Sequence, residues 1–305
     1  MKPQTEDHRV EFDFELDFSN GGALQGQGFR LDIDGESISD EDLAASLVAD
    51  LGILMVGDVR ILRKQVLRER HKRRAKPAGT DKAGDGRIRI DLSHSVEDGL
   101  VTYRGLPAPV VCDYISHERS RERYGGKSEF HFGFVGMASN TGTYVDAPFH
   151  RYRQGIDLAE LPLDRLVDLD AVTINLSGST RRAIDRAAVA PYDLGGKAVL
   201  IHTGWDRNWR TDGYFDGHPF LTEDAARHLV AQRAAFVGID SLNVDDTDNP
   251  YRPAHTTLLA EGVPICEHMT NLGALPNDGF RFSAVPVKVR ALGTFPVRAA
   301  AVVEH

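Results

Sequence analysis

Between Val10 and Phe18 the even positions Val10, Phe12, Phe14, Leu16 and Phe18 are apolar, while Glu11, Asp13, Glu15 and Asp17 are acidic. Strict period two fits a strand with one buried and one charged face, because a helical repeat would scatter the carboxylates around the axis. Ser19-Asn20-Gly21-Gly22 then marks a turn, and Phe29, Leu31 and Ile33 alternate again before Asp34-Gly35. The stretch predicts two antiparallel strands. Ser39 opens Ser-Asp-Glu-Asp, a capping box with an acidic first turn, and Leu43, Leu47 and Val48 give one apolar helical face ending near Gly52. Ile53 to Leu67 is apolar and β-branched enough to be a third strand or a short helix.

A basic run from Arg60 to Lys76, interrupted only by Glu69 among the acids, leads into Pro77-Ala78-Gly79-Thr80-Asp81-Lys82-Ala83-Gly84-Asp85-Gly86. This composition reads as a solvated face passing into a flexible tether. The expected organisation is a small α+β module over 1–76, for docking or oligomerisation, a linker over 77–86, and a larger domain over 87–305. A net charge of -9 excludes a general nucleic-acid binder, which needs a dominant basic surface. Cys112 and Cys266 show no paired metal-ligand spacing, which excludes a disulfide framework or a zinc knuckle and suits a reducing cytoplasm. No apolar run approaches the ~20 residues of a membrane span, and the amino terminus lacks a signal-peptide apolar core. The chain is expected to be cytoplasmic, without nucleic-acid or membrane partners.

In the larger domain, strands are expected at Ile88 to Leu92, Ala171 to Leu176, Ala198 to His202, Phe236 to Ile239 and Pro296 to Val303. A helix is expected over Thr222 to Arg233, capped by Thr222, with Ala226, Leu229 and Val230 inward. The mixture predicts an α/β or α+β fold around a mixed sheet. The absence of GxGxxG, Walker and GxSxG patterns removes nucleotide binding and the usual serine-hydrolase elbow as leading functions.

Two polar clusters carry the chemistry. Ser139-Asn140-Thr141-Gly142-Thr143-Tyr144-Val145-Asp146-Ala147-Pro148-Phe149-His150 sets a carboxylate and an imidazole four apart across a proline that bars both regular helix and central strand. The bland alternative is a turn with a capping Asp146 and a surface His150. Later, His255 leads a short apolar helix, Gly262 ends it, and a strand brings up Glu267. Asp146, His150, His255 and Glu267 are ligand types for zinc or manganese.

These residues resemble the cyclase family that contains bacterial kynurenine formamidase and isatin hydrolase. Asn140 to His150 sits on that family's HTGTHxDxPxH signature. Asp91-Leu-Ser-His, Thr203-Gly-Trp205, His218-Pro219, Val237-Gly-Ile-Asp240-Ser241, and His255 with Glu267 twelve residues on, match in order. The resemblance runs from about Ile88 to Val303 and leaves the amino-terminal module outside. It implies a swivelling β/β/α fold, homo-oligomers, a small-molecule substrate, and hydrolysis of an amide or cyclic amide at a zinc or manganese centre. Position by position it implies Asp146, His255 and Glu267 as metal ligands and His150 as the proton-transfer residue or an additional ligand.

The chain departs from the signature at Asn140 and Tyr144, where the family carries metal-binding histidines. Three readings stand. The first is a one-metal hydrolase of an amide, lactam or lactone. The second is a metal-free cyclase, dehydratase or isomerase in which Asn140 and Tyr144 donate hydrogen bonds to a developing oxyanion and His150 or Glu267 is the base. The third is a non-catalytic scaffold. Trp205 and His218 are assigned to substrate binding, and Trp205, Trp209, Tyr214 and Phe220 form either an aromatic wall or a structural cluster. His202 and His268 read as structural histidines, and His94 is left unassigned.

Overall fold

The computed structural model describes residues 8–19, 23–33, 35–51, 56–68, 81–82 and 86–304. The turn residues Asn20–Gly22 and Asp34, the basic run beyond Arg68, and all of the expected linker except Asp81, Lys82 and Gly86 lie outside these. The chain forms two compact units. One gathers Met1–Lys76, Val96–Val101 and Leu106–Ala138; the other gathers Pro77–Ser95, Thr102–Gly105 and Ser139–His305.

In the first unit, strand His8–Phe18 lies between Ala23–Ile33 and Val56–Arg68, antiparallel to both. The open choice for the third segment is therefore settled as strand. Val10, Phe12, Phe14 and Leu16 are buried, and Phe12 and Phe14 meet the edge of Phe29 at centroid distances of 5.2 and 5.7 Å. Helix Asp40–Leu51 adds Leu43 and Leu47 to this core, and hairpin Val110–Ile115/Phe132–Gly136 adds Val110 and Cys112. The Ser39 hydroxyl accepts from the Asp42 amide at 3.0 Å, as a capping box requires. The acidic face meets basic partners on the neighbouring strands: Glu11 with Arg30 (2.7 Å) and Arg63 (3.5 Å), and Glu15 and Asp17 with Arg60 (3.2 and 3.3 Å). The described start of the basic run thus faces the carboxylates of its own sheet.

The second unit is built on a ten-stranded mixed sheet. Its order is Thr294–Pro296, Tyr144–Asp146, Ile265–Glu267, Phe236–Ile239, Ala198–His202, Leu169–Asn175, Phe280–Ser283, Ala300–Val303, Ile88–Asp91 and Asp81–Lys82. The four strands from Ile265–Glu267 to Leu169–Asn175 are mutually parallel and the others pair antiparallel. One expectation is corrected here: Pro296 to Val303 is not one strand, since Pro296 ends Thr294–Pro296 and Ala300–Val303 is a separate strand, the two occupying the first and eighth places in the sheet. Eight strands side by side at ~4.8 Å spacing would lie roughly 34 Å apart if flat, whereas the short link after Pro296 reaches only about 14 Å. The sheet must therefore curl back on itself.

Apolar clusters fill both faces of this sheet, one around Leu200, Phe236 and Phe282 and one around Ile174, Ile201 and Leu229. Helix Glu223–Ala231 buries the expected Ala226 and Leu229 together with Ala225, while Val230 packs half-buried against the same cluster. Thr222 holds the cap position without a capping side-chain bond, since its hydroxyl is directed to Ile184 O and the Asp224 carboxylate. Among the described residues no helix is long and apolar enough to cross a membrane.

Candidate active site

Strand register assembles the site. Tyr144–Asp146 lies between Ile265–Glu267 and Thr294–Pro296, with Tyr144 opposite Glu267 and Asp146 opposite Thr294. Neighbouring strands bring directly opposed side chains within contact. The Tyr144 hydroxyl accordingly donates to Glu267 Oε2 at 2.5 Å, and the Thr294 hydroxyl donates to Asp146 Oδ1 at 2.5 Å. Asp146 and Glu267 are both fully buried, so Asp146 is not the capping residue of an exposed turn.

After Asp146 the chain enters a single 3₁₀ turn, Pro148–His150, which returns His150 to within 3.6 Å of Asp146. His150 Nδ1 lies 2.8 Å from Thr294 Oγ1. The hydroxyl proton points at Asp146, so it is His150 that donates, from Nδ1. Gly293 makes this turn fit: a Cβ there would stand 2.4 Å from His150 N and 2.6 Å from its Cα.

His255 enters from helix Pro253–Ala260. The loop after Phe236–Ile239 supplies Asp245, whose carboxylate accepts from the amides of Ala254 (2.6 Å) and His255 (3.0 Å) and from His255 Nδ1 (2.7 Å). One buried carboxylate thus caps the helix and fixes the imidazole, leaving Nε2 toward Asp146 Oδ2 (3.5 Å) and Glu267 Oε1 (3.6 Å). Glu267 also accepts from the Val244 amide at 2.5 Å and from Asn243 Nδ2 at 3.2 Å.

Three buried carboxyl groups therefore surround one imidazole. Burial alone would lower the pKa of His255, but Glu267, Asp146 and Asp245 outweigh it and raise it to about 10. Burial pushes Glu267 up to about 7, with Asp146 adding to the rise and His255 opposing it. For Asp146 the imidazoles of His150 and His255 and the Thr294 hydroxyl overcome burial and hold the carboxyl below its usual range. Burial, reinforced by Glu267 and Asp146, raises the Tyr144 phenol well above its ordinary value, so it is a hydrogen-bond donor and not a phenolate ligand.

The donor set suits a divalent cation. Asp146, His150 and His255 each place one ligand atom within 4.8 Å of the others, and Asp146 Oδ2 is a buried carboxylate oxygen without a hydrogen-bond partner among the described residues. An excess of buried carboxylate around imidazole nitrogen matches zinc or manganese chemistry. Glu267, already receiving three donors, is the outer member of the group.

The other expected residues are placed as follows. Asn140 is half-buried and hydrogen-bonds the Tyr144 hydroxyl. Trp205 donates its indole N–H to Tyr214 O at 2.9 Å. His218 is fully buried, with Nδ1 3.2 Å from Pro219 O and Nε2 3.4 Å from Thr247 Oγ1, and is not brought to the Asp146 cluster. His94 stacks on Trp209 with centroids 3.9 Å apart, and Trp209 meets Tyr214 and His268 edge-on. Burial lowers His94 and His268 to about 3, which leaves both imidazoles neutral.

Sequence reasoning missed Asp245, Asn243 and Thr294. Asp245 carried a faint signal, an acidic pair soon before the His255 helix. Thr294 carried none, because only long-range register makes it Asp146's neighbour.

A buried carboxylate–imidazole centre on a curled mixed α/β sheet is the site of a hydrolase-type enzyme. The family model described as "Putative cyclase" matches residues 90–246, a little over half of the chain, and the chain belongs to the cyclase family. It is 28% identical over 212 residues to a kynurenine formamidase of Geobacillus thermodenitrificans, covering 69% of this chain and 95% of that protein. Its fold is similar to that of "Potential Metal-Dependent Hydrolase With Cyclase Activity" (25% identity, TM-score 0.59, 72% of this chain and 99% of the other). It is also similar to isatin hydrolase A from Labrenzia aggregata (21% identity, TM-score 0.61, 72% and 95%). These likenesses bear out the cyclase-type fold.

Proposed function

We propose that this enzyme hydrolyses an amide, lactam or lactone of a small aromatic metabolite at a single divalent-metal centre held by Asp146, His150 and His255. The observation that carries the reading is the buried Asp146 Oδ2, without a hydrogen-bond partner among the described residues, 3.5 Å from a His255 imidazole whose other nitrogen is fixed by Asp245. The names of the kynurenine formamidase relative and of the metal-dependent hydrolase support the substrate class and the metal.

A bound zinc or manganese ion supplies Lewis-acid polarisation of a carbonyl and lowers the pKa of water. The protein does the rest. Asp245 holds the Nδ1–H of His255 and Thr294 that of His150, so each would offer Nε2 to the ion, His255 once its Nε2 proton is lost. Glu267, 3.6 Å from His255 Nε2 and hydrogen-bonded by Tyr144, is the group assigned to take and return a proton. In the net reaction the C–N or C–O bond breaks, the acyl carbon gains the oxygen of water, and the leaving atom takes a proton. This ligand set differs from the one the resemblance implies: His150 enters, and Glu267 moves to proton transfer.

The test is turnover of N-formylaniline, an aromatic lactam and an aromatic lactone by the full chain loaded with zinc or manganese. Hydrolysis of at least one, abolished by chelator and restored by metal, is expected. Turnover that persists in chelator would move the assignment to the metal-independent reading, and no turnover of any would sink the hydrolase substrate class.

A further inference from the structure

His268 follows Glu267 and is unusual in three independent ways. It is fully buried, its Nε2 has no hydrogen-bond partner among the described residues, and its backbone is left-handed at φ 54°. A non-glycine residue in that conformation is uncommon, and a buried polar atom without a partner destabilises the fold. Neither feature helps the core.

The ring is nevertheless held firmly. The His268 amide donates to Ser241 O at 3.1 Å, and its carbonyl accepts from the Thr143 hydroxyl at 2.5 Å. The Tyr214 hydroxyl lies 3.0 Å from Nδ1, and the rings of Tyr144 (5.2 Å) and Trp209 (5.7 Å) flank the imidazole. Among the described residues Nδ1 is the acceptor within reach of the buried Tyr214 hydroxyl, so that hydroxyl donates to it and the ring proton resides on Nε2. His268 therefore carries a preoriented N–H with no acceptor among the described residues, beside the strand that supplies Tyr144 and Asp146.

We propose that His268 is a further catalytic residue whose Nε2–H hydrogen-bonds the substrate carbonyl oxygen and the oxyanion that develops from it, with Tyr214 as the positioning residue that sets its tautomer. This rests on the hydrolytic reading of the same site. A donor fixed before the reaction and aimed at developing charge stabilises the transition state more than the ground state. The left-handed backbone and unpartnered nitrogen are then kept for function.

The experiment compares metal-loaded wild type, His268→Phe, His268→Gln and Tyr214→Phe with N-formylaniline, alongside 15N NMR of the imidazole nitrogens. Expected results are an Nε2–H tautomer for His268 in wild type, and a kcat loss of about 10²–10³-fold in His268→Phe with KM within roughly threefold. Partial rescue is expected in His268→Gln, whose amide N–H sits near the Nε2 position, and a loss of about tenfold in Tyr214→Phe. An Nδ1–H tautomer, unchanged kcat, or a loss confined to KM would overturn the inference while leaving the hydrolytic reading intact. Absence of wild-type turnover overturns both. Should His268→Phe not fold, as judged by its melting curve, Tyr214→Phe decides, since it deletes one oxygen and keeps the ring.

Discussion

Tyr144 and Asp245 show how single residues set this site apart. The buried Tyr144 hydroxyl donates to Glu267 and so ties that carboxylate to the strand that carries Asp146. Asp245 has two separable roles, a helix cap through the Ala254 and His255 amides and an anchor for His255 Nδ1. Asparagine is as good an N-cap as aspartate but lacks the charge that makes the imidazole a stronger ligand. Asp245→Asn keeps one acceptor oxygen but turns an NH2 toward the donors on the His255 amide and Nδ1, so it should lower zinc affinity by roughly 10–100-fold and also lower the melting temperature of the metal-free chain. A competition titration against a chromophoric chelator, with a parallel melt, checks this; unchanged affinity would remove Asp245 from the metal account.

Elements were legible where local pattern decides and illegible where long-range pairing does. Nine alternating residues were enough for strand His8–Phe18, and a capping box with one apolar face was enough for helix Asp40–Leu51. Strands Thr294–Pro296 and Ala300–Val303 read as one, over Pro296 to Val303, because apolar runs do not reveal that a chain leaves one place in a sheet and enters another. The turn Pro148–His150 depends in the same way on a distant residue. Gly293 passes so near the His150 backbone that a methyl group there would meet main chain and not a movable side chain. Gly293→Ala is expected to destabilise the fold by about 1–3 kcal/mol, seen as a lower urea midpoint, and to weaken metal binding as His150 is displaced. A wild-type midpoint with wild-type metal affinity would contradict that packing.

At the scale of the whole molecule, the sequence located the site better than it described it. Asp146, His255 and Glu267 were legible from residue type and order, and the structure brings them together around His255 Nε2. Their division of labour was not legible, because it depends on hydrogen bonds with Thr294, Asn243, Asp245 and the Val244 amide, which arrive from two other segments. The proposed single metal centre rests on Asp146, His150 and His255. Its most direct test is calorimetric titration of zinc and of manganese into the full chain after chelator treatment, for wild type, Asp146→Asn and His255→Gln. The account predicts about one ion per wild-type chain and a loss of at least roughly 100-fold in affinity for either variant. Wild type that binds neither ion, or variants that bind as wild type does, would contradict it.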